Sequence, residues 1–218
     1  MNQSYLLVPV AGLSAMLVIL VYAARRRARA AREVRDPLTG LLAGDAFRTQ
    51  LGHALDRSRR KATPLAVLFA DIDRLAAING FYGNESGDSV LRHFGGQLRK
   101  LSGDGTMAAR LGEDQFALLL PGTDHAAARG IAQRLAASVR GAPCPLQPDA
   151  ISYTVSVGAA VVQPGDDAEA LLRRADVALK TAKLAGRDSV AASKSIEGAP
   201  AWVTLRRRPH VISATVSH

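Results

Sequence analysis

Three small groups of residues in this chain have the types and the spacing to handle metal ions and phosphate. Asp71 and Asp73 directly follow an apolar run, Leu-Ala-Val-Leu-Phe-Ala at 65–70. Carboxylates at the end of a buried strand supply the hard oxygen ligands that Mg²⁺ favours, although Asp73 is equally placed to cap a following helix. The second group is the tip Gly112-Glu113-Asp114-Gln115-Phe116 between two apolar segments. Its carboxylates suit a plain turn. If the hairpin pairs beside the 65–70 strand, however, Asp114 comes close to Asp71, and two such carboxylates can hold metal for phosphoryl transfer. The third group is Lys183 and Arg187. Four residues apart, they share a helix face, which reads either as a solvated C-terminal turn or as a phosphate clamp.

Alternating helical and strand signals must position these groups, which predicts an α/β (α+β) domain. Helices are expected over 46–59, 86–101, 125–140 and 168–185. In the second of these Val90, Leu91, Phe94 and Leu98 recur at helical spacing. Strands are expected over 65–70, 107–111, 115–120, 151–162 and 189–192, with 112–114 as a hairpin turn.

The flanks differ in character. Residues 5–24 form an uncharged, largely apolar run, and twenty helical residues reach about 30 Å, the thickness of a bilayer core. The positive charge follows this run, with six Arg and one Glu over 25–35, which favours an uncleaved anchor over a cleaved leader. The positive-inside rule then places residues 1–4 outside and the remainder in the cytoplasm of a single-pass cell-membrane protein. Residues 25–35 become a basic juxtamembrane linker, 36–194 the folded domain, and 195–218 an aperiodic, mobile tail. The net charge is +9, of which +5 lies in 25–35 and +2 in 195–218. A domain left near neutral is not expected to bind nucleic acid, which calls for a basic face on the fold. Cys144 is the only cysteine, so neither an internal disulfide nor a cysteine-rich zinc site is available, and it reads as a loop or packing residue.

Six segments, in order over about 155 residues, carry a family resemblance: DPLTGL (36–41), DIDRLAAIN (71–79), YGNESGD (82–88), ARLGEDQF (109–116), YTVSVGAAV (153–161) and ADVALKTAKLAGRD (175–188). The set resembles the GGDEF, or diguanylate cyclase, family. The resemblance implies a fold like the catalytic core of the nucleotide cyclases, with a central five-stranded mixed sheet flanked by helices. It implies an activity that joins two GTP into cyclic di-GMP, one GTP on each half of a homodimer, with Mg²⁺ (or Mn²⁺) as cofactor. Asn79 and Asp88 match guanine-binding positions, and Lys183 and Arg187 match phosphate-binding positions. Asp71, the Ile72 carbonyl and Asp114 match metal ligands. The catalytic loop maps onto Glu113, Asp114 and Gln115.

The departures from the pattern cluster at that loop. Its second Gly is Glu113, where a bare backbone is wanted for close approach, and its fourth position is Gln115, which has the size of Glu but no charge to act as a base. A shifted loop that used Glu113 instead would restore the carboxylate count, but the register of a short hairpin is fixed by its turn. The Phe-Lys pair of the family is Leu75-Ala76, the Asn-Arg pair is Ala43-Gly44, and the product-inhibition Arg and Asp positions hold Gly103 and Thr106. These differences imply weak or lost turnover with the nucleotide pocket retained. The other outcome is an active cyclase without feedback inhibition.

Overall fold

The computed structural model describes residues 34–102, 105–146 and 149–193. The apolar run at 5–24, the basic segment up to Glu33, Gly103 and the 195–218 tail lie outside the described residues. Among the described residues, no helix is long and apolar enough to cross a membrane.

The elements run in the order β1 (Leu42–Ala43), α1 (Gly44–Lys61), β2 (Leu65–Ile72), α2 (Leu75–Tyr82), α3 (Asn84–Lys100), β3 (Met107–Arg110), β4 (Gln115–Pro121), α4 (His125–Arg140), β5 (Val155–Val161), α5 (Ala168–Leu184) and β6 (Val190–Ala192). They build one mixed sheet of order β1-β3-β4-β2-β5-β6. The inner pairings β2–β4, β2–β5 and β3–β4 are antiparallel, and the outer pairings β1–β3 and β5–β6 are parallel.

The apolar run 65–70 takes the centre because it can be buried on both faces. Every residue of β2 is buried. Ala66, Leu68, Ala70 and Ile72 join a core with Val90, Phe94 and Leu98 of α3 and Leu135 and Val139 of α4. Leu65, Val67 and Phe69 join a second core with Phe47 and Leu51 of α1 and Leu171, Ala175 and Leu179 of α5. The result is three layers, with the strand alternation deciding which helices each side chain meets. Helix α5 lies close on β5 at Gly158, where an added Cβ would stand 2.1 Å from the Leu179 nitrogen and 2.4 Å from the Ala175 carbonyl oxygen. Only glycine permits that contact.

Three expectations need correction. The sheet has six strands, not five: β1 is two residues long, too short to show a period, and is set by the Ala43 N–H bond to the Val34 carbonyl and by pairing with β3. The strand expected over 151–162 begins at Val155, because Ile151 instead forms an isolated bridge with Cys144. That bridge buries Cys144, consistent with a packing role. Helix α2 is an additional eight-residue element, and its N-cap is Arg74, not Asp73.

Candidate functional site

The site forms where β2 and the β3–β4 turn end together. Asp71 pairs with Gln115 on one side and Ser156 on the other. The Ile72 N–H donates to the Asp114 carbonyl at 3.3 Å, and the Leu111 N–H to the Gln115 carbonyl at 2.8 Å. The hairpin therefore keeps the register in which neutral Gln115 faces Asp71, and the shifted loop is not what forms. Glu113 projects from the exposed tip.

Asp71 is buried, and its carboxylate meets Lys183 Nζ at 2.6 Å. Burial pushes its pKa up, the Lys183 hydrogen bond and charge oppose this, and the charges of Asp114 and Asp73 add to the rise. Asp114 thus acts on Asp71 at close quarters, as the hairpin geometry requires.

Among the described residues no cluster of three or more His, Cys, Asp and Glu side chains could by itself hold a metal. The donor set of two carboxylates, Asp71 and Asp114, with the Ile72 carbonyl fits Mg²⁺. That ion usually takes one or two protein carboxylates and completes its shell with phosphate oxygens and water.

Asp73 has a different task from either sequence alternative. Its carboxylate accepts hydrogen bonds from the Thr154 hydroxyl at 2.7 Å, the Ser156 hydroxyl at 2.7 Å and the Asp188 N–H at 2.9 Å. It anchors the loop after α5, and with it Arg187, an exposed residue with φ of 65° that stands past the end of the helix and so does not share a helix face with Lys183 as expected. Arg140 grips the same loop through two hydrogen bonds to Asp188, at 2.7 and 2.9 Å.

The candidate residues Asn79 and Asp88 lie at the α2–α3 junction. Asn79 turns against Gly87, where an added Cβ would stand 1.7 Å from its Oδ1. That oxygen is buried and has no hydrogen-bond partner among the described residues. Asp88 follows Gly87 directly and, among the described residues, pairs only with Arg92, at 3.9 Å. A buried acceptor without a donor is costly, and a ligand N–H would relieve it.

Arg110 was not singled out by its sequence, yet it holds the hairpin from behind. Its guanidinium donates to the carbonyls of Gly112 at 3.0 Å and Glu113 at 2.6 Å and pairs with Asp36 at 3.3 Å. Burial pushes the Asp36 pKa up, but the Thr39 hydroxyl and N–H and the Arg110 charge outweigh it, and the net shift is downward. A cation two residues before a carboxylate-bearing turn was the only available signal. Thr106 borders β3, whereas its partner position Gly103 lies outside the described residues.

The family model for the diguanylate cyclase GGDEF domain matches residues 33–189. The chain belongs to the GGDEF family. The domain type is that of cyclic di-GMP signalling. It is 36% identical over 157 residues to the diguanylate cyclase DgcP of Pseudomonas aeruginosa, a match covering 72% of this chain and 23% of DgcP. Among solved structures, the coiled coil and GGDEF domain of DgcB from Caulobacter crescentus, in complex with c-di-GMP, superposes with a TM-score of 0.75 at 25% identity, over 84% of this chain and 98% of that one. The GGDEF domain of TpbB (YfiN) from P. aeruginosa gives 0.70 at 35% identity, over 73% and 94%. This GGDEF chain spans only about a quarter of the length of DgcP.

Proposed function

We propose that this GGDEF protein binds GTP and turns it over weakly or not at all. The observation that carries the reading is the contrast within one β-ladder: the buried Asp71 carboxylate stands across from Gln115, a neutral amide. Forming cyclic di-GMP requires the 3′-hydroxyl oxygen of one GTP to attack the α-phosphorus of the other, with loss of a proton and departure of pyrophosphate. Asp114 and Asp71, with the Ile72 carbonyl, would hold Mg²⁺ or Mn²⁺, which would offset charge on the phosphate oxygens. Gln115 cannot take the hydroxyl proton as a carboxylate would.

GTP recognition is assigned to Asn79 and Asp88 for the base and to Lys183 and Arg187 for the phosphates. The unpartnered Asn79 Oδ1 supports the first pair. Lys183, already placed on Asp71, supports the second, since a cation at that position is close to any phosphate oxygen bridging to the metal. Glu113 places a side chain where close approach to the nucleotide favours none. Productive chemistry would need two copies of the chain, each with one GTP. Membrane anchoring through residues 5–24, with the GGDEF domain in the cytoplasm, belongs to the same proposal. It rests on the uncharged run and the arginines behind it.

The test is incubation of the purified full chain with GTP and Mg²⁺ or Mn²⁺, followed by chromatography of the products and calorimetry of GTP binding. GTP binding with little or no cyclic di-GMP is the expected result. A chain that fails to bind GTP would remove the reading. The second reading, an active cyclase free of product inhibition, is favoured by the retained closeness of Asp71, Asp114 and Lys183. The same chromatogram decides it.

A further inference from the structure

Between α1 and α5, on the sheet face opposite α3 and α4, lies a cavity of about 450 Å³. Phe47, Phe69 and Leu172, all buried, give it an apolar floor. Charged side chains stand around that floor. Arg48 of α1 and Glu169 of α5 pair with each other, and Asp176 pairs with Lys180 at 2.7 Å. Two rim charges are left over: among the described residues, neither the Asp45 carboxylate nor the Arg173 guanidinium has a hydrogen bond or ion pair. An apolar floor inside a charged rim is the make-up of a docking surface, and here the unspent charges are of both signs.

The course of the chain into the domain says which segment reaches this surface. Residues 34–36 run antiparallel to 41–43: the Asp36 N–H donates to the Leu41 carbonyl and the Ala43 N–H to the Val34 carbonyl, both at 2.8 Å, and Arg35 bridges Leu42. Gly44 and Asp45, next along that course, line the cavity. Gly44 leaves the edge open, since a Cβ there would come no nearer than 3.9 Å to Leu111. The segment before Val34 therefore arrives at the α1 edge of the cavity. Arg32 stands two residues earlier, so its Cα lies at most about 7 Å from that of Val34. Glu33 is the only acid among the six arginines of 25–35. Residues 32 and 33 thus bring one cation and one anion to a rim that has one unspent anion and one unspent cation.

We propose that the basic segment 25–33 docks on this cavity, with the Arg32 guanidinium taken by Asp45 and Asp176 and the Glu33 carboxylate by Arg173. A guanidinium has five N–H donors in a fixed fork, enough to serve two carboxylates at once. The docked segment meets the hairpin. Leu111 and Gln115 also line the cavity, and they frame the tip, where the Leu111 N–H donates to the Gln115 carbonyl at 2.8 Å. A seated segment packs against that end of the hairpin, and a segment drawn away releases it. The chain thereby carries a route from its N-terminal segment to the turn that bears Asp114. This coupling does not depend on GTP binding or on turnover.

The test uses the purified full chain, paired cysteine substitutions and a short bis-maleimide cross-linker. Cys144, the only native cysteine, is buried and does not compete. Arg32→Cys with Asp45→Cys is expected to give a cross-link within one chain, read as a linked peptide by mass spectrometry. Arg32→Cys with Arg57→Cys, about 18 Å further along α1, is expected to give little. Asp45 and Arg57 are both exposed, so both variants are expected to fold. With the native cysteine alone, Arg32→Gln should speed amide exchange over 43–48 and 111–116 about two- to fivefold, the range for loss of an exposed ion pair. Exchange over 125–140 of α4, on the other face of the sheet, should not change. No link between 32 and 45, equal linking of 32 to 45 and 57, or linking only between two chains would overturn the proposal. So would exchange over 43–48 and 111–116 that does not respond to Arg32→Gln.

Discussion

The hairpin side and the α2–α3 side of the candidate site are built in opposite ways. Around Asp71 the polar groups satisfy one another: Lys183 meets Asp71, the Ile72 N–H meets the Asp114 carbonyl, and Arg110 holds the carbonyls of the tip. At the α2–α3 junction the Asn79 amide oxygen is buried with no partner, and Asp88 has only a distant, exposed Arg92. A closed network is rigid and already balanced, whereas an orphaned acceptor beside a carboxylate waits for a donor. The α2–α3 half thus keeps an acceptor open, while the hairpin half places a neutral amide, Gln115, across from Asp71.

Perturbing the closed side at Arg110 should have the largest effect. Arg110→Ala leaves partly buried Asp36 unpaired and frees two tip carbonyls, and breaking such a pair costs about 3 kcal/mol. The melting temperature should fall by roughly 6–12 °C for a domain of this size. An unchanged melting temperature would show the hairpin to be held by its ladder alone. On the open side, Gly87→Ala forces the Asn79 side chain away from its position. GTP affinity should drop at least about tenfold, as expected when a buried hydrogen-bond pair is lost, with little change in melting temperature. Equal losses in both would erase the contrast between the two halves.

Asp88→Ala should cost GTP binding about 1–3 kcal/mol, read by calorimetry. The smallest expected effect is on stability near Asp71. Its folded pKa is raised by burial and by neighbouring carboxylates, so the folded state binds this proton more tightly than the unfolded state. The associated stability is fully present below the unfolded pKa and is lost as pH rises through the folded value. In metal-free buffer Asp71→Asn should flatten that part of the pH–stability curve and raise the melting temperature at neutral pH. A lowered melting temperature would mean that the Lys183 pair outweighs the burial of Asp71.

The layers of the fold were legible because β2 opens with the apolar run 65–70 and the long helices carry clear periods. The meeting of Asp71 and Asp114 was legible for the same reason: two apolar strands around a three-residue turn leave few ways to pair. Helix α2 was not, since eight residues with one buried side chain, Leu75, give no period to read. The role of Asp73 escaped because its partners Thr154, Ser156 and Asp188 lie more than eighty residues away in sequence. Arg110 acts largely through backbone carbonyls, which no residue type reveals.

Product formation tests the roles of Gln115 and Glu113 most directly. The full chain, incubated with GTP and Mg²⁺ or Mn²⁺, is expected to yield little or no cyclic di-GMP. The double variant Glu113→Gly with Gln115→Glu is expected to raise the yield above either single change, because restored geometry and a restored base act on separate defects and misplacement by about 1 Å alone can cost a factor of about 100 in rate. Robust synthesis by the unmodified chain, abolished by Asp114→Ala, would contradict the account and establish an active cyclase.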